Sequence, residues 1–423
     1  MLPQREEEQD TMSTRVAVTG IGMVTPIGND TASSWEALKR GVSGGGPITH
    51  FDPAGYETRI AAEVKGFDPL TYMDRKEARR ADPFMQFSLA ATKMALEDAQ
   101  LEIGPIADDF GIIIGSGIGG LTTMHDQFKL LFERGPDRIS PFFSIMTPVD
   151  MAAGTISIAL GLGGPNFAVV SACATSAHAI GEAYEAIRRG DARAMIAGGA
   201  EAAIQPVAIA SFGNMHAMSR RNDDPQHASR PFDAERDGFV MGEGAGILVL
   251  EELEYAQSRG AHIYAELVGY GASADAFHMT EPAPEGRGLA RAMRRALQKG
   301  NIALEDVAYI NAHGTGTAFN DKSETDAIKN LFGEHAYKLG VSSTKSMTGH
   351  MMGAAGGVEA GISVLSVYHG VLPPTINLTH SDPECDLDYV PNEARQADVP
   401  VALSNSMGFG GHNAVLAFRR YQG

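Results

Sequence analysis

Short runs of β-branched residues alternate with alanine-rich stretches of helical periodicity and with glycine-rich turns from about residue 13 onward. This alternation is typical of an α/β protein, in which strands and helices follow one another along the chain. The pattern also predicts a helix over 176–189, because Arg188 and Arg189 occupy its last turn and Gly190 follows it. A first series of strands is predicted at 15–20, 110–115, 167–170, 194–199 and 247–251.

A second series of segments repeats the order of the first. Two similar halves, 13–262 and 263–423, are the simplest organisation for such a repeat, although a tandem of unrelated α/β domains would give much the same pattern. Residues 1–12 form an acidic, aperiodic tail that we expect to be disordered and to lie outside the fold. The repeated segments are the strands 265–271, 307–310 and 414–418, and the turn 342–349 before an Ala/Gly-rich helix.

Composition and charge exclude several classes of protein. Of the 423 residues, 34 are Lys or Arg and 52 are Asp or Glu, and the net charge of −18 argues against nucleic-acid binding. The two cysteines, Cys173 and Cys385, cannot form a disulfide scaffold and fit a reducing, cytoplasmic location. The longest uncharged stretch, 151–181, is broken by glycines and by polar residues such as Ser171, so we expect no membrane span.

One basic cluster stands out in this acidic chain: Arg75, Lys76, Arg79 and Arg80. On a helix, the last three would share a face by the i, i+3, i+4 rule. A local patch of this kind can bind an acidic macromolecule despite the net charge, because charges beyond about 8 Å are largely screened. The alternative is a solvated helix end.

Cys173 lies between a predicted strand and a predicted helix. At a helix N-terminus the free N–H groups and the dipole favour a thiolate, which would lower the thiol pKa from about 8.5 towards or below neutrality. A buried, inert cysteine is the alternative. A separate G-x-G-x-x-G match at 115–120 lacks the acidic residue about 20 positions later that a dinucleotide site needs, so we expect it to serve close backbone packing beside a substrate tunnel.

Further polar residues occur in turns where side chains reach a cleft. His313 follows a strand in a Gly/Thr turn, while Lys345 and His350 stand at the head of a helix. If the halves are duplicated, these side chains and Cys173 converge at the carboxyl ends of strands. Taken singly, a histidine in such a turn is more often a hydrogen-bonded polar group than a catalyst. A glycine-dense loop around Phe409 has the composition of an oxyanion hole, or of a simple tight turn.

Together these segments resemble the β-ketoacyl-[acyl carrier protein] synthases of type II fatty acid synthesis, most closely the elongating synthase II. The resemblance covers about residues 13–420. It implies a thiolase-like α/β fold in which two duplicated halves form five layers, α-β-α-β-α, in a homodimer. The motifs that carry it, in family order, are Ser171-Ala172-Cys173, Asn311-Ala312-His313-Gly314-Thr315, Thr344-Lys345-Ser346-Met347-Thr348-Gly349-His350 and Gly408-Phe409-Gly410-Gly411.

The resemblance implies condensation of an acyl group on acyl carrier protein (ACP) with malonyl-ACP, giving 3-oxoacyl-ACP, CO₂ and ACP. Cys173 would be the acylated nucleophile, and its N–H would form an oxyanion hole with that of Phe409, which would also gate the acyl pocket. His313 and His350 would serve malonyl decarboxylation, with electrostatic support from Lys345. No cofactor would be required, because the phosphopantetheine is carried by ACP.

The same resemblance assigns binding residues. Thr315 and Thr317 would bond the pantetheine amides. The Arg75, Lys76, Arg79 and Arg80 cluster would dock the carrier. The acyl tunnel would be formed by Ile118, Ala172 and Phe212, with Phe143 from across the dimer. A buried alkali cation, or alternatively a hydrogen-bonded polar cluster, is implied at Asn311, Glu359, Ser404 and Asn405.

Three residues depart from the family pattern: His412 replaces a usual Thr, Met407 a common Phe, and His216 a carrier-binding Arg. Among other readings, a thiolase needs a second active cysteine, and Cys385 is not in a C-x-G turn. An initiating synthase would carry Asn at position 350, and a chain-length-factor subunit lacks the cysteine. A stand-alone polyketide ketosynthase keeps all the same residues and is therefore the main alternative. The acyl chain length is not readable from the sequence.

Overall fold

The structure is a computed structural model that describes residues 14–423. The predicted disorder of residues 1–12 falls outside these residues. No helix within 14–423 combines the length and the apolar character that crossing a bilayer requires.

Ten strands of the described chain form one mixed sheet, and four short strands form two small ladders. The strands are β1 (Val16–Val24), β2 (Gly46–Pro47), β3 (Ile60–Ala61), β4 (Phe110–Gly115), β5 (Asn166–Phe167), β6 (Ala194–Glu201), β7 (Gly244–Glu252), β8 (Ala265–Ala274), β9 (Val307–Asn311), β10 (Gly340–Ser342), β11 (Val371–Leu372), β12 (Arg395–Gln396), β13 (Val401–Gly408) and β14 (His412–Arg419).

The helices alternate with these strands, as the sequence pattern predicts. Within residues 14–423 they are α1 (Thr31–Lys39), α2 (Arg75–Ala78), α3 (Pro83–Ala99), α4 (Leu121–Arg134), α5 (Phe143–Met146), α6 (Asp150–Leu160), α7 (Thr175–Arg189), α8 (Pro206–Asn214), α9 (Leu253–Ser258), α10 (Arg287–Lys299), α11 (Ala318–Phe332), α12 (Lys345–Thr348) and α13 (Ala355–His369).

The strand order of the main sheet is palindromic. It runs β10-β9-β13-β14-β8-β1-β7-β6-β4-β5, with β1 and β8 antiparallel at the centre. Outward from the centre, each half uses its strands in the same order, which is the arrangement that a duplicated chain gives. The boundary at 262/263 stays a prediction.

Helices cover both faces of each half-sheet and produce the expected five layers. Helices α3 and α6 lie outside the half formed by β1, β7, β6, β4 and β5, and α10, backed by α11, lies outside the other half. Helices α7 and α13 pack between the two half-sheets and against each other. Helix α13 is buried along almost its whole length, because it is the central layer.

Two predicted elements are shorter than the sequence suggests. Of the predicted strand 167–170, only Phe167 pairs with β4, because the chain then turns so that the N–H of Ser171 bonds Thr175 Oγ1 instead of a neighbouring strand. Helix α2 contains only Arg75–Ala78, and Arg79 is its C-terminal cap. The predicted helix before Gly190 is confirmed, with Gly190 in the left-handed conformation at its end.

The contact between α13 and β7 depends on glycine. A Cβ at Gly246 would overlap the backbone of Gly357 and Val358. We therefore expect Gly246→Ala to lower the free energy of unfolding by about 1–3 kcal/mol, measured by urea denaturation, because the packed layers must move apart. The matched control is Gly104→Ala, since a Cβ there meets no atom within 4 Å; an equal loss in both variants would contradict the argument.

Candidate active site

Cys173 sits in a strained turn at the front of α7. It is the middle residue of a 3₁₀ turn, Ala172–Ala174, and α7 begins at Thr175. Ala172 has a φ of +51°, and Met352, in the turn that precedes α13, has a φ of +50°. Such left-handed non-glycine residues cost free energy and cluster at functional sites. The two related helices of the central layer are therefore both entered through strained turns.

Four of the five predicted catalytic residues, Cys173, His313, His350 and Phe409, line one cavity of about 480 Å³, whereas Lys345 is buried behind it. Cys173, His313 and His350 are all buried, at 8, 3 and 3% exposure. The residues predicted for the acyl tunnel, the pantetheine and the oxyanion hole also line this cavity, except Phe143: Ile118, Ala172, Phe212, Thr315, Thr317 and Phe409. Phe143 lies on α5 against Phe128 instead.

The sulfur and the two imidazoles are in direct contact. Cys173 Sγ lies 3.0 Å from His350 Nε2, and the His313 and His350 rings are 5.4 Å apart between centroids at an angle of 89°. The N–H of Phe409 also points at the Cys173 sulfur. His350 is held in place because its segment bridges to Met241, with its N–H bonded to Val240 O at 2.7 Å.

Lys345 contacts His313 and affects the protonation of both histidines. Its ammonium donates to His313 Nδ1 at 3.3 Å and is paired with the Glu359 carboxylate. Because Nδ1 accepts this bond, the neutral His313 ring carries its proton on Nε2. Burial, with the Lys345 charge as a further cause, holds the pKa of both imidazoles well below the usual range. Both rings are therefore neutral N–H donors.

The expected lowering of the thiol pKa is wrong for the free protein. Burial raises the pKa of the Cys173 thiol to about 12, because a thiolate here would lose its hydration. The Lys345 charge and the Phe409 N–H favour the thiolate but do not overcome this penalty. The resting sulfur is thus protonated.

The sequence analysis missed two buried acids that shape the His313 turn. Glu324 accepts the N–H groups of His313 and Gly314 at 2.9 and 2.8 Å, and Asp321 accepts that of Gly316 at 3.2 Å. Burial raises the pKa of Glu324 to about 7. Their i, i+3 spacing on the buried face of α11 is the signal that could have identified them.

The three departures lie around the cavity. Met407 and His216 both line it. His216 is exposed, and its Nδ1 is bonded by the guanidinium of Arg220. His412 begins β14, and its ring lies against Gly410 in the loop that carries Phe409.

The predicted docking cluster is solvent-exposed. Arg75, Lys76, Arg79 and Arg80 are all exposed, and none of them forms an ion pair with another described residue. The Arg80 guanidinium stacks 4.1 Å from the Phe142 ring centre. The cluster therefore presents four exposed positive charges, with the acidic side chains of Asp74 and Glu77 beside them.

Three of the predicted cation-site residues lie where α13 packs on the sheet: Asn311 on β9 pairs with Ser404 on β13, and α13, which carries Glu359, packs on both strands. Asn405 is the next residue of β13, and its side-chain amide N–H donates to Glu324 on α11. Among the described residues, four buried oxygen atoms of this group have no hydrogen-bond partner: Asn311 Oδ1, Glu359 Oε2, Ser404 Oγ and Asn405 Oδ1.

Solved structures that align with this fold include ketosynthases. "The ishigamide ketosynthase/chain length factor" aligns with a TM-score of 0.91 and 36% identity over 97% of this chain and 100% of that chain. A β-ketoacyl synthase from Burkholderia phymatum STM815 aligns with a TM-score of 0.90 and 38% identity, with the same coverage. A structure described as a type II PKS acyl-carrier protein in complex with its ketosynthase gives 0.90 and 35%, also with that coverage.

Sequence comparisons agree with the fold. Proteins named 3-oxoacyl-[acyl-carrier-protein] synthase 2 from Synechocystis and from Staphylococcus aureus are 54% identical over 96% of this chain and cover 98–99% of their own length. The family descriptions "Beta-ketoacyl synthase, N-terminal domain" and "Beta-ketoacyl synthase, C-terminal domain" match residues 13–256 and 264–379. The chain belongs to the β-ketoacyl synthase family.

Proposed function

We propose that the protein catalyses the condensation of acyl-ACP with malonyl-ACP to 3-oxoacyl-ACP, with release of CO₂ and ACP, in fatty acid elongation. The observation that carries this proposal is the contact of Cys173 Sγ with His350 Nε2 at 3.0 Å, with the neutral His313 beside it in one cavity. The 54% identity to curated 3-oxoacyl-ACP synthases supports the choice of substrates.

The first half-reaction is acyl transfer to Cys173. The sulfur attacks the thioester carbonyl carbon as its proton leaves, and the N–H groups of Cys173 and Phe409 receive the negative oxygen. Collapse of this intermediate breaks the carbon–sulfur bond to pantetheine, whose sulfur takes up the proton. Because the resting pKa of the thiol is about 12, deprotonation is coupled to the arrival of substrate.

The second half-reaction uses both imidazoles as donors. When malonyl-ACP loses CO₂, the electron pair moves onto the thioester oxygen as an enolate, which the Nε2–H groups of His313 and His350 stabilise. Each donor is worth about 3 kcal/mol of barrier. The enolate carbon then attacks the acyl-cysteine carbonyl, and the Cys173 sulfur leaves and regains a proton.

The chain's own residues would hold the carrier and its pantetheine. Thr315 and Thr317, whose hydroxyl oxygens lie 3.0 Å apart, would bond the pantetheine amides in the cavity. The four exposed charges of the docking cluster would bind an acidic carrier, and a structural relative is described in complex with its acyl-carrier protein. We propose no resident cofactor, because the phosphopantetheine arrives on ACP.

An alkali cation suits the central cluster. The unpartnered buried oxygens of Asn311, Glu359, Ser404 and Asn405 form an all-oxygen donor set, which hard cations prefer. A hydrogen-bonded polar cluster would leave fewer such atoms unsatisfied. These four residues would hold the ion, and its charge would fix the Glu359 carboxylate that pairs with Lys345.

The exposed apolar surface beside β5 supports a homodimer. β5 is an end strand of the main sheet. Ile158 on α6, which packs on β5, Phe167 on β5 and Val170 after it are 82, 45 and 57% exposed. Unpaired edges and contiguous apolar surface mark association sites. The family resemblance implies that Phe143 reaches the acyl pocket of the partner in such a dimer.

Replacing the nucleophile tests the proposed function. We expect Cys173→Ala to abolish formation of the acyl-enzyme, measured by intact-protein mass spectrometry, and of 3-oxoacyl-ACP. The matched control is Cys385→Ala, because Cys385 is the other buried cysteine and lies outside the cavity. Full condensation by a folded Cys173→Ala variant would refute the assignment.

Lys345 contributes to the acid limit of activity. Burial lowers the pKa of His313 and His350 most, and the Lys345 charge lowers both further, so its removal raises both values and lets the rings protonate at higher pH. We expect Lys345→Met with Glu359→Gln, which removes both charges of the pair, to move the acid limb of the pH–rate profile towards neutral pH. Lys322→Met, on an exposed lysine, should leave the limb in place; an unmoved limb in the double variant would contradict the role of Lys345.

Charge reversal tests carrier docking. We expect Arg79→Glu with Arg80→Glu to raise the KM for acyl-ACP about tenfold and to leave that for an acyl-pantetheine unchanged. Arg291→Glu with Arg294→Glu, on the exposed face of α10, makes the same change in net charge elsewhere. Equal effects on both substrates, or equal effects of both double variants, would show that the cluster is only a solvated surface.

A further inference from the structure

Glu201 is a buried carboxylate that the reaction described above does not use. It is the last residue of β6, is fully buried and does not line the cavity. It forms no ion pair with another described residue. Its oxygens accept four hydrogen bonds, from Ser116 Oγ at 2.8 Å, Gly117 N at 2.7 Å, Ile118 N at 3.2 Å and Gly353 N at 2.9 Å.

These four donors belong to two separate parts of the active site. Ser116, Gly117 and Ile118 form the glycine loop after β4, and Ile118 faces the cavity. Gly353 follows His350 by three residues, in the strained turn whose Met352 also lines the cavity. One carboxylate therefore ties the acyl-pocket wall to the turn behind a catalytic histidine.

Both segments have a glycine at a position where a larger residue would collide with this carboxylate. A Cβ at Gly117 would lie 2.8 Å from Glu201 Oε2, and a Cβ at Gly353 would lie 2.6 Å from the same oxygen. The Gly353 carbonyl also accepts a bond from Ser176 Oγ on α7, the helix that follows Cys173. The N–H and the carbonyl of Gly353 are thus both hydrogen-bonded, one to Glu201 and the other to Ser176.

We propose that Glu201 is a positioning residue that fixes the glycine loop carrying Ile118 and the turn after His350 relative to each other. Burying a carboxylate is costly without strong acceptor contacts, and burial raises the pKa of Glu201, whereas an apolar residue would fill the space without this penalty. An apolar residue, however, cannot accept hydrogen bonds from the glycine loop and from the turn at Gly353 at the same time. The kinetic test of this inference rests on the proposed condensation reaction.

Glu201→Gln keeps the volume of the side chain but places an NH₂ group against backbone N–H donors. We expect acyl transfer from acyl-ACP and decarboxylation of malonyl-ACP, measured separately, both to fall about tenfold, because small misplacements of reacting groups are costly. Ser116→Ala loses only the hydroxyl on the glycine loop, so it should slow acyl transfer and spare decarboxylation. Glu201→Asp, which retains both acceptor oxygens, should recover part of each rate.

Hydrogen–deuterium exchange supplies a test that needs no turnover. In Glu201→Gln, peptides containing 116–118 and 351–354 should both exchange faster than in the unmodified protein. Two results would overturn the proposal. One is unchanged exchange in either segment. The other is a fall in both reaction rates that only matches the loss of folded protein measured by circular dichroism. If the unmodified protein fails to condense, the proposed function fails, while the exchange result still decides the role of Glu201.

Discussion

The buried Lys345 ammonium is the interaction on which the site depends. A charge in this position costs several kcal/mol of lost hydration, which its pairing with Glu359 offsets only where the geometry is fixed. Its effect reaches each reacting group: it sets the tautomer of His313, adds to the burial that keeps both imidazoles neutral, and favours the thiolate of Cys173. Lys345 and Glu359 come from α12 and α13, so the charge pair also anchors two elements of the second half.

The sequence was most informative where function fixes local motifs. The turn before α7, the glycine loop at Phe409 and the segment from Lys345 to His350 could all be placed from their residues, and the structure brings them to one cavity. The repeated order of strands indicated two similar halves, and the resemblance to the β-ketoacyl synthases implied their five-layer arrangement. These features depend on short stretches of chain, which is why a single sequence contains them.

The features that the sequence did not predict depend on tertiary packing. The protonation of Cys173 follows from burial by distant elements, which outweighs its position at a helix end. Glu324 and Glu201 act on backbone groups 10–11 and 83–152 residues away, and the four-residue length of α2 reflects its Asp74 cap and the turn that follows. The G-x-G-x-x-G loop illustrates the same limit, because Gly117 makes room for a protein carboxylate, while Gly115 and Gly120 make room for neighbouring segments of the chain.

The protonated, enclosed sulfur has a consequence for the durability of the enzyme. Peroxides oxidise thiolates far more readily than thiols, and sulfinic and sulfonic acids are not recovered by simple reduction. A nucleophilic thiol that keeps its proton until a thioester occupies the cavity reacts slowly with peroxides between turnovers. Burial and protonation together therefore limit oxidation of the Cys173 sulfur while no substrate occupies the cavity.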